Sequence, residues 1–524
     1  MTAQTMPRAG AGRREWTGLA VLALPTLLLA LDLSVLYLAL PRLSTDLGAD
    51  STQQLWITDS YGFLIAGFLV TMGTLGDRVG RRRLLLIGAT AFAVVSVAAA
   101  YAPNPATLIL ARALLGVAGA TLMPSTLALI SNMFRVPAQR AMAIGVWMSC
   151  FMGGMAVGPV IGGVLLAHFW WGSAFLLGVP VMVLLLVVAP ILLPEYRAPQ
   201  PGRLDLVSVA LSLGAILPVI YGLKELARHG GRPLPALAIV AGGLVGALFV
   251  RRQRRLADPL LDVRLFATRS FTVALLIFLL NGMAMGGIFL LVNQWLQLVE
   301  GLSPLRAGLL LVPQAVVMIG ATMLAPLLAR RFRPGHVMAV GQVVTAAGFL
   351  LLNGADDPGA QLVVLVALVL ASAGMALPSA LITDLIVGSV PPERAGSAAS
   401  TSETFGEFGI ALGVATLGSL SAAVYRDELA RTLPAGLTAE ASERARDGLA
   451  RAVEVAGELP GGVALLDAAR AAYTDGLILT ATAAAVLVGG LGAVAVVAFR
   501  SVPPYAPAGA ERAGEPQPTG AVSH

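Results

Sequence analysis

Two glutamates, Glu403 and Glu407, lie four residues apart in the stretch ETFGEFGIALG, which is otherwise made of small and apolar residues. In a helix this spacing places both side chains on one face, a single turn apart. Two carboxylates this close repel each other when both are ionised, and an apolar environment disfavours the charged form of each. We therefore predict that at least one of them binds and releases protons near neutral pH. Proton coupling and the neutralisation of a cationic ligand both fit that behaviour.

Three further charged residues lie within apolar runs of the sequence: Asp32, Asp59 and Arg112. Ionisable groups inside a membrane are costly and usually functional, so we place all three with the glutamates in a site for proton coupling and substrate binding. Structural alternatives stay open. Asp32 and Arg112 would also suit a purely structural buried pair, and Asp59 an interfacial position. Asp384 is assigned a structural role at the cytoplasmic edge.

The sequence contains none of the residue patterns that would predict an enzyme. It has four histidines and one cysteine, Cys150, and it holds no HExxH, GxSxG or Walker-type GxxxxGKS/T motif. We therefore predict no catalytic residues, no metal site and no cofactor. The predicted coupling ion is the proton.

The elements that position these charges are predicted to be membrane-spanning helices. Hydrophobic residues make up 57% of the chain and charged residues only 12%, and the mean hydropathy is +0.82. A soluble domain carries roughly 25% charged residues. Apolar runs of about 20 residues, the length that spans a bilayer, recur fourteen times. We predict an all-α integral membrane protein with fourteen transmembrane helices.

The distribution of basic residues predicts how these helices are oriented. An even number of spans places both termini on one side of the membrane, and Lys and Arg concentrate in the short loops of that side. Since such an excess marks the cytoplasmic side, both termini are predicted to be cytoplasmic. The net charge of +6 follows from this asymmetry and indicates no nucleic-acid partner. We predict a multi-pass protein of the bacterial cytoplasmic (inner or plasma) membrane, surrounded by lipid.

Polar segments divide the chain into two six-helix bundles with a two-helix insert between them, an arrangement typical of transporters. The predicted parts are a cytoplasmic tail (1–16), an N-terminal bundle (17–193), a cytoplasmic linker (194–205), an inserted hairpin (206–250), a basic cytoplasmic linker (251–270), a C-terminal bundle (271–500) that contains the extracellular loop 425–473, and a disordered cytoplasmic tail (501–524).

The loop after the second span carries a family resemblance. Its sequence GTLGDRVGRRR, residues 73–83, resembles the loop signature GxxxDRxGRR of the major facilitator superfamily and stands at the expected place. The resemblance implies the major facilitator fold, and it implies that this loop is a conformational latch. The residues assigned to the gating motif are Gly73, Asp77, Arg78, Gly80, Arg81 and Arg82.

Three more motifs are similar to those of the fourteen-span drug:proton antiporter family. LILARALLGVAGATLMP (108–124) resembles a motif that the family uses in proton handling around the equivalent of Arg112. ALDLSVLYLALP (30–41) resembles LDxTVxNVALP, with Ser34 and Tyr37 at the Thr and Asn positions. The fifth span carries GxxxGPxxGG, which is similar to the motif of antiporting exporters; its glycines permit close helix approach and its proline a bend. The residues of this helix-packing motif are Gly154, Gly158, Pro159, Gly162 and Gly163.

Aromatic and methionine side chains near the charges are predicted to line the substrate cavity and to supply non-directional contacts. The candidates are Tyr37, Trp56, Tyr61, Trp147, Met148 and Phe405. Most other Met and Phe residues of the spans are expected to pack against other helices or to face lipid.

The sequence thus predicts a monomeric proton-coupled antiporter of the multidrug efflux, quaternary-ammonium and dye exporter type. It would export amphipathic cationic drugs or other toxic small molecules by alternating access and thereby confer antibiotic resistance. One alternative is a dedicated exporter of a single natural product for self-resistance, or of an osmolyte-like solute. The motifs and the deep acids argue against an uptake symporter and against a non-transporting membrane receptor on the same scaffold.

Overall fold

The computed structural model describes residues 11–49, 51–197, 205–229, 233–256, 259, 261, 263–356, 359–390, 395–434, 437–459 and 462–505. Within these ranges the backbone forms helices, turns and short connections, and it forms no strand. The predicted disordered tail lies outside the described residues from position 506 onward. The α-helices are α1 Arg13–Leu47, α2 Ser51–Val79, α3 Arg81–Ala100, α4 Pro105–Met133, α5 Pro137–His168, α6 Ser173–Leu176, α7 Gly178–Leu192, α8 Leu206–His229, α9 Pro233–Gln253, α10 Arg269–Gln294, α11 Pro304–Leu310, α12 Val312–Arg331, α13 Pro334–Leu351, α14 Ala360–Gly388, α15 Ala395–Thr432, α16 Ala439–Arg446, α17 Leu449–Glu458 and α18 Val463–Ala498.

The predicted number of membrane spans is confirmed for the part of the chain that the structure describes. Thirteen helical segments there are long and apolar enough to cross a membrane. Helix α5 supplies a fourteenth span, which is bent by 43° between Met155 and Val160. The bend falls within the GPxxGG motif, where a proline interrupts the helical hydrogen bonds.

The helices form two bundles, each with its own apolar core. Helices α1 to α7 surround one core, whose buried members include Leu22, Phe92, Leu115, Trp147 and Met182. Helices α10, α12 to α15 and α18 surround the cores of the second bundle, one towards the extracellular side and one towards the cytoplasm. We call these the N-bundle and the C-bundle.

Helix α15, which carries both glutamates, lies backbone to backbone against α10. A Cβ atom on Gly409 would collide with the carbonyl oxygen of Leu279, and one on Gly413 would collide with the carbonyl oxygen of Met283. Lipid supplies no hydrophobic force between helices, so membrane helices depend on small residues that bring their surfaces into van der Waals contact. These glycines therefore place α15 against the rest of the C-bundle.

The inserted hairpin of α8 and α9 lies across the seam between the bundles. On one side Ile216 and Phe249 pack with Phe63 and Val70 of α2. On the other side Leu223 of α8 packs with residues of α15. The side chains on the outer side of α9 are exposed, on a surface that would meet lipid. The hairpin thus covers the line along which α2 of the N-bundle meets α15 of the C-bundle.

The segment after α15 folds onto the extracellular end of the C-bundle. The short helices α16 and α17 bury Leu449 and Val455 in the extracellular core of that bundle. Tyr425 donates its hydroxyl hydrogen bond to the carbonyl oxygen of Ala445, at 2.8 Å. Arg444 donates to Glu458 and so lowers the pKa of that exposed carboxyl from its usual value.

We expect Gly413→Ala to lower the stability of the folded protein by about 1–3 kcal/mol, because the added methyl group must push α15 away from α10. The matched control is Gly418→Ala on the same helix, where a Cβ atom meets nothing within 4 Å. The control should be neutral or slightly stabilising, since Ala favours a helix over Gly. Thermal unfolding of the detergent-purified variants measures both effects. Equal midpoints would contradict the close contact.

Candidate functional site: buried charges between the bundles

Asp32 and Arg112 form a buried ion pair between α1 and α4. Arg112 Nη1 donates to Asp32 Oδ2 at 2.6 Å, and the arginine side chain is 0% exposed. Its Nε atom donates to the carbonyl oxygen of Ile57 on α2, at 3.2 Å. A single guanidinium therefore joins three helices of the N-bundle.

Tyr61 of α2 completes this cluster. Its ring lies under the Arg112 guanidinium, with 4.3 Å between the guanidinium carbon and the ring centre. A cation over an aromatic face is attracted by the negative charge of the ring face. The Tyr61 hydroxyl and Arg112 Nη2 are buried, and neither has a hydrogen-bond partner among the described residues. Both groups can therefore bond to a water molecule or proton acceptor that enters the cluster.

Glu403 and Glu407 lie on the face of α15 that borders the space between the bundles. They are roughly 12 Å and 18 Å along the helix from its cytoplasmic start at Ala395, at 1.5 Å per residue. One side of α15 is occupied by α10 and another by the inserted hairpin. On the remaining stripe Glu403 is half-buried and Glu407 is exposed. The spacing of four residues has placed both carboxyl groups together, as predicted.

One acid of α15 lies near the charges of the N-bundle, because Glu407 interacts electrostatically with Tyr61, which also interacts with Asp32 and Arg112. Asp59 is half-buried two residues before Tyr61 along α2, towards the extracellular end.

Two of the six predicted cavity-lining residues are buried in this structure, and their contact with a substrate stays a prediction. Tyr61 is 0% exposed because it packs against Arg112, and Trp147 is 1% exposed in the core of the N-bundle. Trp147 Nε1 donates to the Thr126 hydroxyl at 3.1 Å. In this conformation neither side chain borders an open cavity, since aromatic residues in a span pack inward as readily as they face a ligand.

The other four candidates differ from one another in exposure. Trp56 is 45% exposed and has its ring 6.2 Å from that of Phe63. Met148 and Phe405 are half-buried, and Phe405 packs on Phe266. The side chain of Tyr37 lies outside the described residues. Their contact with a substrate stays a prediction.

The gating motif is organised around an ion pair between Asp77 and Arg81, both buried. Arg82 donates to the carbonyl oxygens of Pro190 and Leu193, at 3.1 and 2.9 Å, at the end of α7. Gly80 has a φ of 118°, a conformation that side chains other than glycine rarely adopt. The arginine therefore holds the loop against α7 within the N-bundle. Gly73 and Arg78 lie on α2 just before it, and the predicted latch function stays a prediction.

The glycines of the helix-packing motif bring α5 against α1. A Cβ atom on Gly154 would collide with the carbonyl oxygen of Leu27, and one on Gly158 would collide with the Ser34 side chain. Gly163, in contrast, faces open space. The side chain of Pro159 lies outside the described residues, and Gly162 is buried.

A further charge cluster surrounds Asp384, to which the sequence analysis assigned a structural role at the cytoplasmic edge without identifying its partners. Arg140 at the start of α5 donates from Nε to Asp384 Oδ1 of α14 at 2.6 Å, which joins the two bundles. The hydroxyl of Tyr505, beyond α18, donates to Asp384 Oδ2 at 2.6 Å. The backbone N–H of Tyr505 donates to the carbonyl oxygen of Ala329.

Apolar contacts accompany this cluster. Ala395 and Ala399 of α15 pack into the N-bundle core, and Ala138 and Ala141 of α5 pack into the cytoplasmic core of the C-bundle. The two bundles thus meet at their cytoplasmic ends. In the sequence, the charge of Asp384 within an apolar span was the signal for this cluster. Its partners Arg140 and Tyr505 lie 244 and 121 residues away along the chain.

The family model described as Major Facilitator Superfamily matches residues 22–414. The chain is 46% identical to the multidrug efflux pump LfrA of Mycolicibacterium smegmatis, over 93% of this chain and 97% of that protein. It is 35% identical to the methyl viologen resistance protein SmvA of Salmonella typhimurium, over 88% of this chain and 93% of that protein. These similarities, with the membrane spans, identify a multi-pass protein of the bacterial inner membrane.

Solved structures show the same fold. The crystal structure of the human organic anion transporter MFSD10 (TETRAN) matches with a TM-score of 0.58 at 17% identity. The match covers 90% of this chain and 99% of that chain. At this identity the likeness concerns the fold alone, and it confirms the predicted two-bundle architecture.

We expect Arg112→Met to destabilise the protein by about 3–5 kcal/mol, because it leaves the Asp32 carboxylate buried without its counter-charge. The double variant Asp32→Leu/Arg112→Met removes both charges and should recover part of that loss. Thermal unfolding in detergent compares the double variant with Arg112→Met and with Asp32→Leu. If the double variant loses as much as the sum of the single variants, the pair is not coupled.

We expect Tyr505→Phe to loosen the cytoplasmic closure, because it removes one hydrogen bond to Asp384 and keeps the ring. The readout is maleimide labelling of a cysteine at Ser400, which is 0% exposed at the cytoplasmic end of α15, in a Cys150→Ser background. A hydrogen bond contributes about 1 kcal/mol, so labelling should accelerate about fivefold. Tyr101→Phe, on the exposed extracellular side, is the control. An unchanged rate in Tyr505→Phe would contradict this role.

Proposed function

We propose that this chain, which belongs to the Major Facilitator Superfamily, is a proton-coupled antiporter that exports amphipathic cationic drugs across the cytoplasmic membrane. The observation that carries the proposal is the pair of acids on α15, Glu403 and Glu407, on the stripe between the bundles. Glu407 interacts electrostatically with Tyr61, whose ring contacts Arg112. A site of this kind can exchange a proton for a cation.

The resemblance to known exporters supports the direction of transport and the class of cargo. The relatives named above are a multidrug efflux pump and a methyl viologen resistance protein. Methyl viologen is a dication, and a pair of carboxylates is the chemistry that would bind a cation in an apolar cavity. The exported compounds are accordingly proposed to be positively charged and partly apolar.

In the proposed cycle, a cation enters from the cytoplasm or the inner leaflet when the cytoplasmic ends are apart. It binds Glu403 and Glu407 as they lose protons, since a carboxylate holds either a proton or a cation. The contacts of Arg140, Asp384 and Tyr505 then close the cytoplasmic side. Protons that enter from outside, by way of Asp32 and Asp59, displace the cation outwards.

The Asp32 and Arg112 pair suits the task of coupling because its charge balance changes when Asp32 takes up a proton. Arg112 would then lose its counter-charge while keeping its bond to the Ile57 carbonyl and its contact with Tyr61. A buried cation without a partner is unfavourable, so protonation would favour a rearrangement of α1, α2 and α4. We propose that the protein acts as a monomer and needs no cofactor.

A dedicated exporter of a single natural product is the second candidate. Trp56, exposed at the extracellular half of α2, and the half-buried Met148 would suit many ligands equally. A transport assay with structurally unrelated compounds therefore separates the two candidates. A single accepted compound would favour the dedicated exporter.

We expect everted membrane vesicles that contain the protein to accumulate ethidium when a proton gradient is present. Glu407→Gln should lower this accumulation about tenfold or more, because it removes a charged partner of the cation from an apolar site. The matched control is Glu428→Gln on the same helix, where the glutamate pairs with Arg431 at the surface. Accumulation without a gradient would contradict proton coupling, and full activity of Glu407→Gln would contradict the site.

A further inference from the structure

The inserted hairpin of α8 and α9 ends in the densest run of basic residues in the sequence. This run reads RRQRR, residues 251–255, and no other five-residue stretch of the chain holds four basic residues. Arg251, Arg254 and Arg255 are exposed. Helix α9 has 21 residues, a length of about 32 Å at 1.5 Å per residue, and the hydrocarbon core of a bilayer is about 30 Å thick. The arginines therefore lie at the level of lipid headgroups, at the end of α9 that the sequence predicts to be cytoplasmic.

One of the four arginines has a structural role within the hairpin. Arg252 donates from Nε to Asp205 Oδ2 at 2.8 Å, and this aspartate also accepts a hydrogen bond from Ser208 Oγ at 2.7 Å. The side-chain amide of Gln253 donates to the same serine oxygen at 2.7 Å. These bonds fix the start of α8 against the end of α9. The neighbouring arginines are therefore held at a fixed position on the hairpin.

Arg251 and Arg255 have no such partner. Among the described residues, none forms an ion pair or a hydrogen bond with either guanidinium group. The backbone N–H of Arg255 donates to the carbonyl oxygen of Arg252 at 2.9 Å, so the helical path continues to the end of this run. The two arginines therefore lie one helical turn apart, where like charges repel each other. An anion between them would relieve that repulsion, and a phosphate suits the position because its oxygen atoms match the paired N–H donors of a guanidinium group.

An apolar stripe leads along α9 to this arginine pair. Four exposed aliphatic side chains follow one another at spacings of three or four residues, and Arg251 and Arg255 continue the same spacing, so all six share one face of the helix. The opposite face is buried, and there Phe249 packs with side chains of α8 and α2. A surface that is apolar along its length and cationic at its end matches the two parts of an anionic phospholipid. The residues of the apolar stripe are Leu237, Val240, Leu244 and Leu248.

We propose that this face of α9 is a binding site for an anionic phospholipid. Arg251 and Arg255 bind the phosphate of the headgroup, and the acyl chains lie along the apolar stripe. Arg254 adds to the positive charge beside them. A zwitterionic phospholipid binds less tightly, because its own cationic group is repelled by the arginines. The site is separate from the acids of α15 and goes beyond the proposed export function.

A lipid at this site would act on the part of the protein that spans the seam between the bundles. Ile216 of α8 packs with Phe63 of α2 in the N-bundle. Leu223 of α8 packs with Ala415 of α15 in the C-bundle. A phospholipid that binds the end of α9 therefore also holds the hairpin over this seam, on the side away from the two bundle cores.

Lipid binding is measured with a bimane fluorophore on Leu248→Cys, in a Cys150→Ser background, on the full chain in phosphatidylcholine nanodiscs. A small fraction of the lipid is replaced by brominated phosphatidylglycerol or by the same fraction of brominated phosphatidylcholine, and either quenches the fluorophore when it lies beside α9. The anionic lipid should bind about tenfold more tightly than the zwitterionic one, because two arginines attract it. Arg251→Gln/Arg255→Gln should reduce this preference to within about twofold.

The control variant Arg444→Gln/Arg451→Gln removes the same charge from the segment over the extracellular end, where these arginines bind Glu458 and Glu454 at 3.1 and 2.9 Å. It should keep the full preference, and the thermal unfolding midpoint checks that both double variants are folded. Sodium phosphate and sodium chloride at equal ionic strength should weaken the preference equally. A stronger effect of phosphate would assign the arginines to a free anion and overturn the lipid site. Equal quenching by the two brominated lipids, or an unchanged preference in Arg251→Gln/Arg255→Gln, would also overturn it.

Discussion

An ionised side chain inside a lipid-dissolved bundle is stable only beside a partner that replaces water, and this requirement governs how the protein is organised. Arg112 meets the requirement through Asp32, the Ile57 carbonyl and the Tyr61 ring, and in doing so it joins α1, α2 and α4. Asp384 meets it through Arg140 and Tyr505, and these bonds join the two bundles. The bonds that stabilise these charges therefore also connect helices that are far apart in sequence.

Glycine contacts place the helices on which these charges act. Gly154 and Gly158 bring α5 onto α1, and Gly409 and Gly413 bring α15 onto α10, with the same spacing of four residues in both bundles. Close backbone contact leaves the remaining faces of α5 and α15 free to meet the opposite bundle. On α15 this arrangement directs Glu403 and Glu407 towards the space between the bundles. The inserted hairpin covers the outside of the same seam, so the acids are separated from lipid on that side.

Much of this organisation was predictable from the sequence, and the residues show why. A run of apolar residues long enough to span a bilayer has few alternatives to a helix, so the fourteen spans follow from composition and length. The depth of Asp32 and Arg112 within their spans made a pair between them plausible before any contact was known. The aromatic candidates were harder to assign. Tyr61 and Trp147 are buried. The sequence did not predict this, because a pattern of apolar residues does not say whether a helix face meets a ligand or another helix.

The sequence by itself determined that this protein lies in a membrane, that it is helical, and that two acids lie one turn apart on α15. These properties depend on local composition and on spacing along a helix, which a single sequence displays. Only the tertiary structure decided which charges are partners and how Tyr505 joins the contact between the bundles. Those facts depend on contacts between residues that are far apart in sequence. Pairing over such distances is set by how whole helices pack, and helix packing depends on small residues and shape complementarity whose partners are not encoded locally.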